Sequence, residues 1–142
     1  MSIFGKTRPA EETFPVRKTE AEWRAVLAPE AFRVLREHAT ERPGTSPLNA
    51  EKRQGVFACA GCGHPLFTAE TKFESGTGWP SFFQALPDGI ATTTDRSFFM
   101  TRTEVHCANC GGHLGHVFPD GPPPTGARYC MNGVALRFEP AE

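Results

Sequence analysis

Two hydrophobic periods divide the chain. Trp23, Val26 and Leu27 fall at i, i+3 and i+4, the spacing of one helical face, and Phe32, Leu35 and Arg36 share a second such face. Thr19-Glu20-Ala21-Glu22 stands in front of the first stripe as a capping box, in which hydroxyl and carboxylate each satisfy a free backbone N–H. Pro29 suits the first turn of a second helix, and Arg42-Pro43-Gly44-Thr45-Ser46-Pro47 closes the helical part. From residue 55 the period becomes two. Val56-Phe57-Ala58 predicts a strand, and Phe99, Thr101, Thr103 and Val105 alternate with Met100, Arg102, Glu104 and His106 as another. Pro87-Asp88-Gly89 is a turn signal, and the proline-rich run from Pro119 to Pro124 is a surface loop. Arg128 to Glu139 reads as one or two short strands around Gly133, with Val134, Leu136 and Phe138 on one face. The pattern predicts short N-terminal helices followed by an antiparallel β domain.

Length adds that 142 residues make one domain with room for a core. Residues 1–18 lack a period and are expected to be an extended arm, leaving 19–142 as the single folded domain. A net charge of −1 without a long Lys/Arg run argues against nucleic acid or anionic lipid as partner. No stretch is long and apolar enough to span a membrane. Met1-Ser2-Ile3-Phe4-Gly5-Lys6 lacks the apolar core of a secretory signal, so the expected location is cytoplasmic.

Cysteine changes the picture most. Four of the five form Cys59-Ala60-Gly61-Cys62 and Cys107-Ala108-Asn109-Cys110, and Cys130 stands alone. An odd count in a chain expected to be cytosolic opposes a disulfide framework. Two Cys-x-x-Cys pairs, each followed by Gly, suit one tetrahedral Zn²⁺ with no open position, a structural site. The long gap between pairs implies that the ion staples two distant hairpins. A redox pair and a nucleic-acid zinc ribbon are the alternatives; the absence of a βαβ pattern disfavours the first.

Three further segments carry candidate chemistry. In a strand, Arg128, Cys130 and Asn132 share one face, so a cation and an amide flank a thiol. The bland alternative is a buried structural cysteine. In His113-Leu114-Gly115-His116-Val117-Phe118 two imidazoles three apart could converge from a turn, as proton donors, as ligands of a second metal, or merely as packed histidines. Gly76-Thr77-Gly78-Trp79-Pro80-Ser81-Phe82 permits a tight turn presenting Trp79 as an aromatic wall, with core packing as its alternative.

Taken together these segments resemble the methionine-R-sulfoxide reductase B family. The resemblance rests on Gly78-Trp79-Pro80-Ser81-Phe82, Arg102-Thr103-Glu104-Val105, both cysteine pairs, His113 to Phe118 and Arg128-Tyr129-Cys130-Met131-Asn132. Thr19 to Trp23 and Thr40-Glu41-Arg42-Pro43 also match, so it spans roughly residues 15–139. It implies a mainly β fold, a β-tent of two antiparallel sheets with short N-terminal helices, one structural zinc ion on Cys59, Cys62, Cys107 and Cys110, and no organic cofactor. It implies thiol-dependent reduction of methionine-R-sulfoxide, protein-bound and also free. Cys130 would be the nucleophile, passing through a sulfenic acid. His116 or His113 would be the proton donor, Asn132 would position polar groups, and Trp79 with Phe118 would form the apolar wall for the S-methyl group.

One departure bears on recycling. Many members of that family carry a resolving cysteine where this chain has Thr77, and the other four cysteines here are assigned to zinc. The expectation is direct reduction by an external thiol, thioredoxin by analogy or else glutathione or glutaredoxin, in an enzyme that acts as a monomer on oxidised proteins and peptides. The competing class is a non-catalytic β-tent ligand-binding module, which needs neither Cys130 nor the histidines.

Overall fold

The computed structural model describes residues 14–96 and 99–141. The first helix, α1 (Glu20–Val26), begins as its capping box requires: the Glu22 N–H donates to Thr19 Oγ1 and the Thr19 N–H to Glu22 Oε1. The second, α2 (Pro29–Glu37), has Pro at its start and buries Phe32, Val34 and Leu35. Trp23 is buried with them, but Val26 is exposed, because α1 ends there after two turns and only one edge of its stripe reaches the sheet.

Among the described residues nine strands follow: β1 (Gly55–Cys59), β2 (Pro65–Thr68), β3 (Lys72–Phe73), β4 (Ser81–Phe82), β5 (Ile90–Asp95), β6 (Arg102–Cys107), β7 (His113–Phe118), β8 (Arg128–Met131) and β9 (Leu136–Pro140). They form an antiparallel three-stranded sheet in the order β2-β1-β9 and a six-stranded one in the order β3-β4-β8-β7-β6-β5, all of whose pairings are antiparallel. The expected mainly β domain of two antiparallel sheets behind two short helices is therefore present.

The core lies where the sheets face each other. Phe57 on β1 and Phe67 on β2 meet Phe82 on β4, the Phe67 and Phe82 rings stacked at 4.3 Å and the Phe57 and Phe82 rings edge-on at 5.0 Å. All three are fully buried, each stabilising the fold by about 2–3 kcal/mol. Val105, Leu114 and Met131 continue this layer, and Trp23, Phe32 and Leu35 close it from the helical side.

Three boundaries differ from the sequence expectation. The sixth strand starts at Arg102 rather than Phe99, whose positive φ of 59° breaks the extended run and leaves its ring fully exposed. The segment from Arg128 to Glu139 is two strands separated by a 3-10 turn at Gly133–Ala135, so Val134 sits in that turn and not on the face of Leu136 and Phe138. Of the arm expected over 1–18, residues 1–13 lie outside the described residues. Phe14 is buried against Gly111, and the Val16 N–H donates to Asn109 O at 2.8 Å. Among the described residues no helix is long and apolar enough to cross a membrane.

Candidate active site and metal centre

Cys59 ends β1 and Cys62 lies in the turn before β2, while Cys107 ends β6 and Cys110 lies in the turn before β7. The first knuckle belongs to the three-stranded sheet and the second to the six-stranded one. Their sulfurs nevertheless converge, Cys59 on Cys110 at 3.8 Å and Cys62 on Cys107 at 3.6 Å. Four thiolates bound tetrahedrally at about 2.3 Å stand about 3.8 Å apart, so the cluster has the dimensions of a Zn–S₄ centre. Polar hydrogens also point at the sulfurs: Gly61 N–H to Cys59 Sγ (3.3 Å), Asn109 N–H to Cys107 Sγ (3.4 Å) and Asn109 Nδ2 to Cys62 Sγ (3.3 Å). Hydrogen bonding with Cys107 holds Cys62 well below the usual thiol range and pushes Cys59 well above it. A divalent cation is what allows all four to ionise together. The residues fit the metal that the two pairs predicted.

Cys130 occupies the middle of the larger sheet. On one side of β8 it faces Ser81 of β4; on the other it is in register with His116 of β7. Directly opposed residues of an antiparallel pair project to the same face, so thiol and imidazole are neighbours. Gly115 makes this approach feasible, because a Cβ there would collide with Cys130 O. Alternation along β8 places Arg128 and Asn132 beside Cys130, while Met131 turns into the core and Tyr129 packs against it. Arg128, Cys130 and Asn132 line a cavity of about 290 Å³ with Thr40, Thr77, Trp79, Arg102, Gly115, His116 and Phe118. Of the residues singled out from the sequence, Cys130, His116, Asn132, Trp79 and Phe118 meet there.

His113 does not line it. It is buried, with Nδ1 2.6 Å from Glu104 Oε2 and its ring 5.6 Å from that of His116. Both histidines lie on strand β7 and not in a turn, contrary to the expectation of convergence through a turn.

Each wall has its own support. Trp79 donates its indole N–H to Glu41 O at 3.0 Å. Gly78, at φ 95°, leaves no room for a Cβ beside Pro43, so the glycine is required for the Trp79 loop to dock. Phe118 lies under the Arg128 guanidinium at 4.5 Å, and Arg128 is held by Asp120 through Nε at 2.8 Å and Nη2 at 3.2 Å. Asn132 is itself anchored, Oδ1 accepting from Glu41 N and Nδ2 donating to Leu114 O.

Burial pushes the Cys130 thiol above its ordinary value, opposed by hydrogen bonding from Thr77 and Ser81 and by the charge of Arg128. Burial likewise lowers His116, opposed by its hydrogen bond to Asp95. Both shifts favour the uncharged forms of the two side chains. His116 Nε2 donates to Asp95 Oδ2 at 2.9 Å, and the same oxygen accepts from Arg102 Nη2 at 3.1 Å. Asp95 carried no pattern in the sequence; Thr40, Glu41 and Arg102 lay in matched segments without a role assigned.

The SelR domain family matches residues 27–140. The chain is 55% identical over 126 residues to the peptide methionine sulfoxide reductase MsrB of Agrobacterium fabrum, covering 88% of this chain and 93% of that protein. It is 54% identical to the MsrB protein of Methanosarcina barkeri, covering 89% and 90%. It is 56% identical to that of Pseudomonas fluorescens, covering 89% and 98%.

Proposed function

Since the chain belongs to the SelR-domain family of peptide methionine sulfoxide reductases and methionine sulfoxide reduction is its chemistry, we propose that it takes the R epimer, in proteins and also free, with Cys130 as nucleophile. The observation that carries this reading is the cross-strand register of Cys130 and His116 at a cavity with one aromatic side.

A sulfoxide sulfur is a weak electrophile until its oxygen is protonated, so the step needs a thiolate and an acid together. Transfer of the Cys130 proton to His116 supplies both from the resting pair. Asp95 fixes Nε2 as a donor, which leaves Nδ1 to exchange the proton, and the Asp95 carboxylate stabilises the imidazolium. Cys130 Sγ then attacks the substrate sulfur while the imidazolium protonates its oxygen. The oxygen passes to Cys130, the thioether leaves, and the enzyme holds a sulfenic acid. One external thiol condenses with it, releasing water and forming a mixed disulfide. A second thiol attacks that disulfide and restores Cys130. Thioredoxin is the donor this reading favours, with glutathione and glutaredoxin as alternatives.

Trp79 and Phe118 would receive the S-methyl group and His116 the oxygen, so the S epimer would present the wrong substituent to the acid. His113, off the cavity wall, would hold Glu104 and pack against His116 rather than touch substrate. Cys59, Cys62, Cys107 and Cys110 would hold one zinc ion, whose chemistry is to tie the two sheets together. The test uses R and S epimers of a blocked methionine sulfoxide with dithiothreitol, for wild type and Cys130→Ser. Turnover of R alone, falling by at least about 10³-fold in the variant, is expected. Equal turnover of both epimers, or an active Cys130→Ser, would overturn the assignment.

A further inference from the structure

We propose a second metal site, distinct from the four cysteines, in which His38, Glu104 and His106 bind a divalent first-row transition ion such as Zn²⁺. The three ligand groups come from the end of α2 and from β6, and their donor atoms all lie within 4.8 Å of one another. His38 Nε2 is 3.1 Å from Glu104 Oε2, and His106 Nε2 is 3.6 Å from Glu104 Oε1. Nitrogen and oxygen ligands at about 2.0–2.2 Å around a tetrahedral ion stand about 3.4 Å apart, close to both histidine–carboxylate spacings here. Two imidazoles and one carboxylate suit zinc or ferrous iron and leave positions for water.

What surrounds the three residues distinguishes them from a chance cluster. His106 Nδ1 faces the Gly111 carbonyl at 3.3 Å, which can only accept, so the proton of the neutral ring sits on Nδ1 and the Nε2 lone pair points at Glu104. Two acceptors thus face each other. The Thr93 hydroxyl, 3.0 Å from the same Nε2, can satisfy one of them, and a cation satisfies both. Glu104 is braced by His113, whose Nδ1 lies 2.6 Å from Oε2. A carbonyl fixing a histidine tautomer and an imidazole holding a carboxylate are the outer supports that metal ligands use. His38 adopts a left-handed conformation (φ 60°, ψ 30°) as the C-cap of α2, which turns the chain and brings its ring beside Glu104. Its side chain is 44% exposed while those of Glu104 and His106 are 13% and 6%, so His38 is the solvent-facing ligand past which an ion would arrive.

The experiment uses untagged, zinc-loaded protein and titrates Zn²⁺ and, separately, Co²⁺, following heat and the visible spectrum. Wild type is expected to take up one equivalent beyond the zinc of the cysteine cluster, and that equivalent, as Co²⁺, to give d–d bands without thiolate charge transfer. His38→Ala, at an exposed position that leaves the core intact, should weaken that equivalent at least tenfold while retaining the first. Glu104→Gln should lose it as well. A wild-type stoichiometry of one at 100-fold excess metal, or uptake unchanged in His38→Ala, would overturn the site whether or not the reductase reading holds.

Discussion

Thr77 Oγ1 lies 4.0 Å from Cys130 Sγ, so a hydroxyl stands where a second thiol would reach the sulfenic acid of the proposed mechanism. The same hydroxyl lies 2.8 Å from Ser75 Oγ and accepts from Trp79 N at 3.3 Å, which fixes its loop. The four remaining cysteines face one another in the zinc-sized cluster.

This geometry predicts that Thr77→Cys installs an intramolecular recycling step. Given methionine sulfoxide and no reductant, the variant should release one equivalent of methionine and lose two hydrogens in mass as a disulfide forms between the introduced thiol and Cys130. Wild type in the same experiment should gain one oxygen. Mass spectrometry of the intact chain separates the outcomes. A variant that gains oxygen and forms no disulfide would mean that the loop cannot bring the two sulfurs together.

Glu41 braces the site from a distance of 91 residues in sequence. Besides its backbone bonds to Asn132 and Trp79, its carboxylate accepts from the N–H groups of Gly133 (2.7 Å) and Val134 (3.0 Å), just after β8. Glu41→Ala leaves two half-buried donors without that partner, a cost of about 1–3 kcal/mol. The melting temperature should fall by about 3–10 °C. Reductase kcat should drop further than the Cys130 alkylation rate, since the thiol keeps its neighbours while the pocket loosens. Glu41→Gln, whose amide oxygen still accepts, should recover part of both losses. Wild-type stability and kcat in Glu41→Ala would refute the role.

How much of this was legible beforehand depends on the range of the interaction. The capping box at Thr19 and Glu22, the cysteine pairs and the alternation placing Arg128, Cys130 and Asn132 together are local, and the structure reproduces them. The neighbour relation of His116 and Cys130 depends on the register of β7 on β8, which no local pattern encodes. Asp95 and Glu41 act through partners far along the chain; Asp95 sits in a sequence that reads as ordinary polar surface, and the segment around Glu41 matched the family without showing what the carboxylate holds. Phe99 illustrates the opposite error: an apolar residue in alternating phase suggested a strand, but its left-handed backbone puts it outside the sheet.

Metal removal should unfold the protein. Structural zinc sites contribute on the order of 10–16 kcal/mol in small peptides, as much as or more than the roughly 5–15 kcal/mol net stability of a whole domain. Here the cluster joins the β1–β2 hairpin of one sheet to the β6–β7 hairpin of the other. Cys59→Ser is therefore expected to give insoluble or metal-free chain, and chelation of wild type should abolish the cooperative thermal transition. A soluble, fully zinc-loaded Cys59→Ser protein would contradict the structural role.

The pH profile follows from the opposed shifts of Cys130 and His116. The proposed mechanism needs one proton on the pair. Below the His116 value, which burial holds under the ordinary 6.5, a second proton blocks thiolate formation. Above the Cys130 value, which burial raises over the ordinary 9.0, the acid is gone. The kcat/KM profile should be a broad plateau with an acid limb below pH 6.5 and an alkaline limb above pH 9.0. Because Arg128 works against the burial of Cys130, Arg128→Met should move the alkaline limb upward and slow alkylation of the thiol at fixed pH by up to about tenfold. The acid limb, set by His116 and Asp95, should stay in place. An alkaline limb that moves down in Arg128→Met would show that the guanidinium destabilises the thiolate.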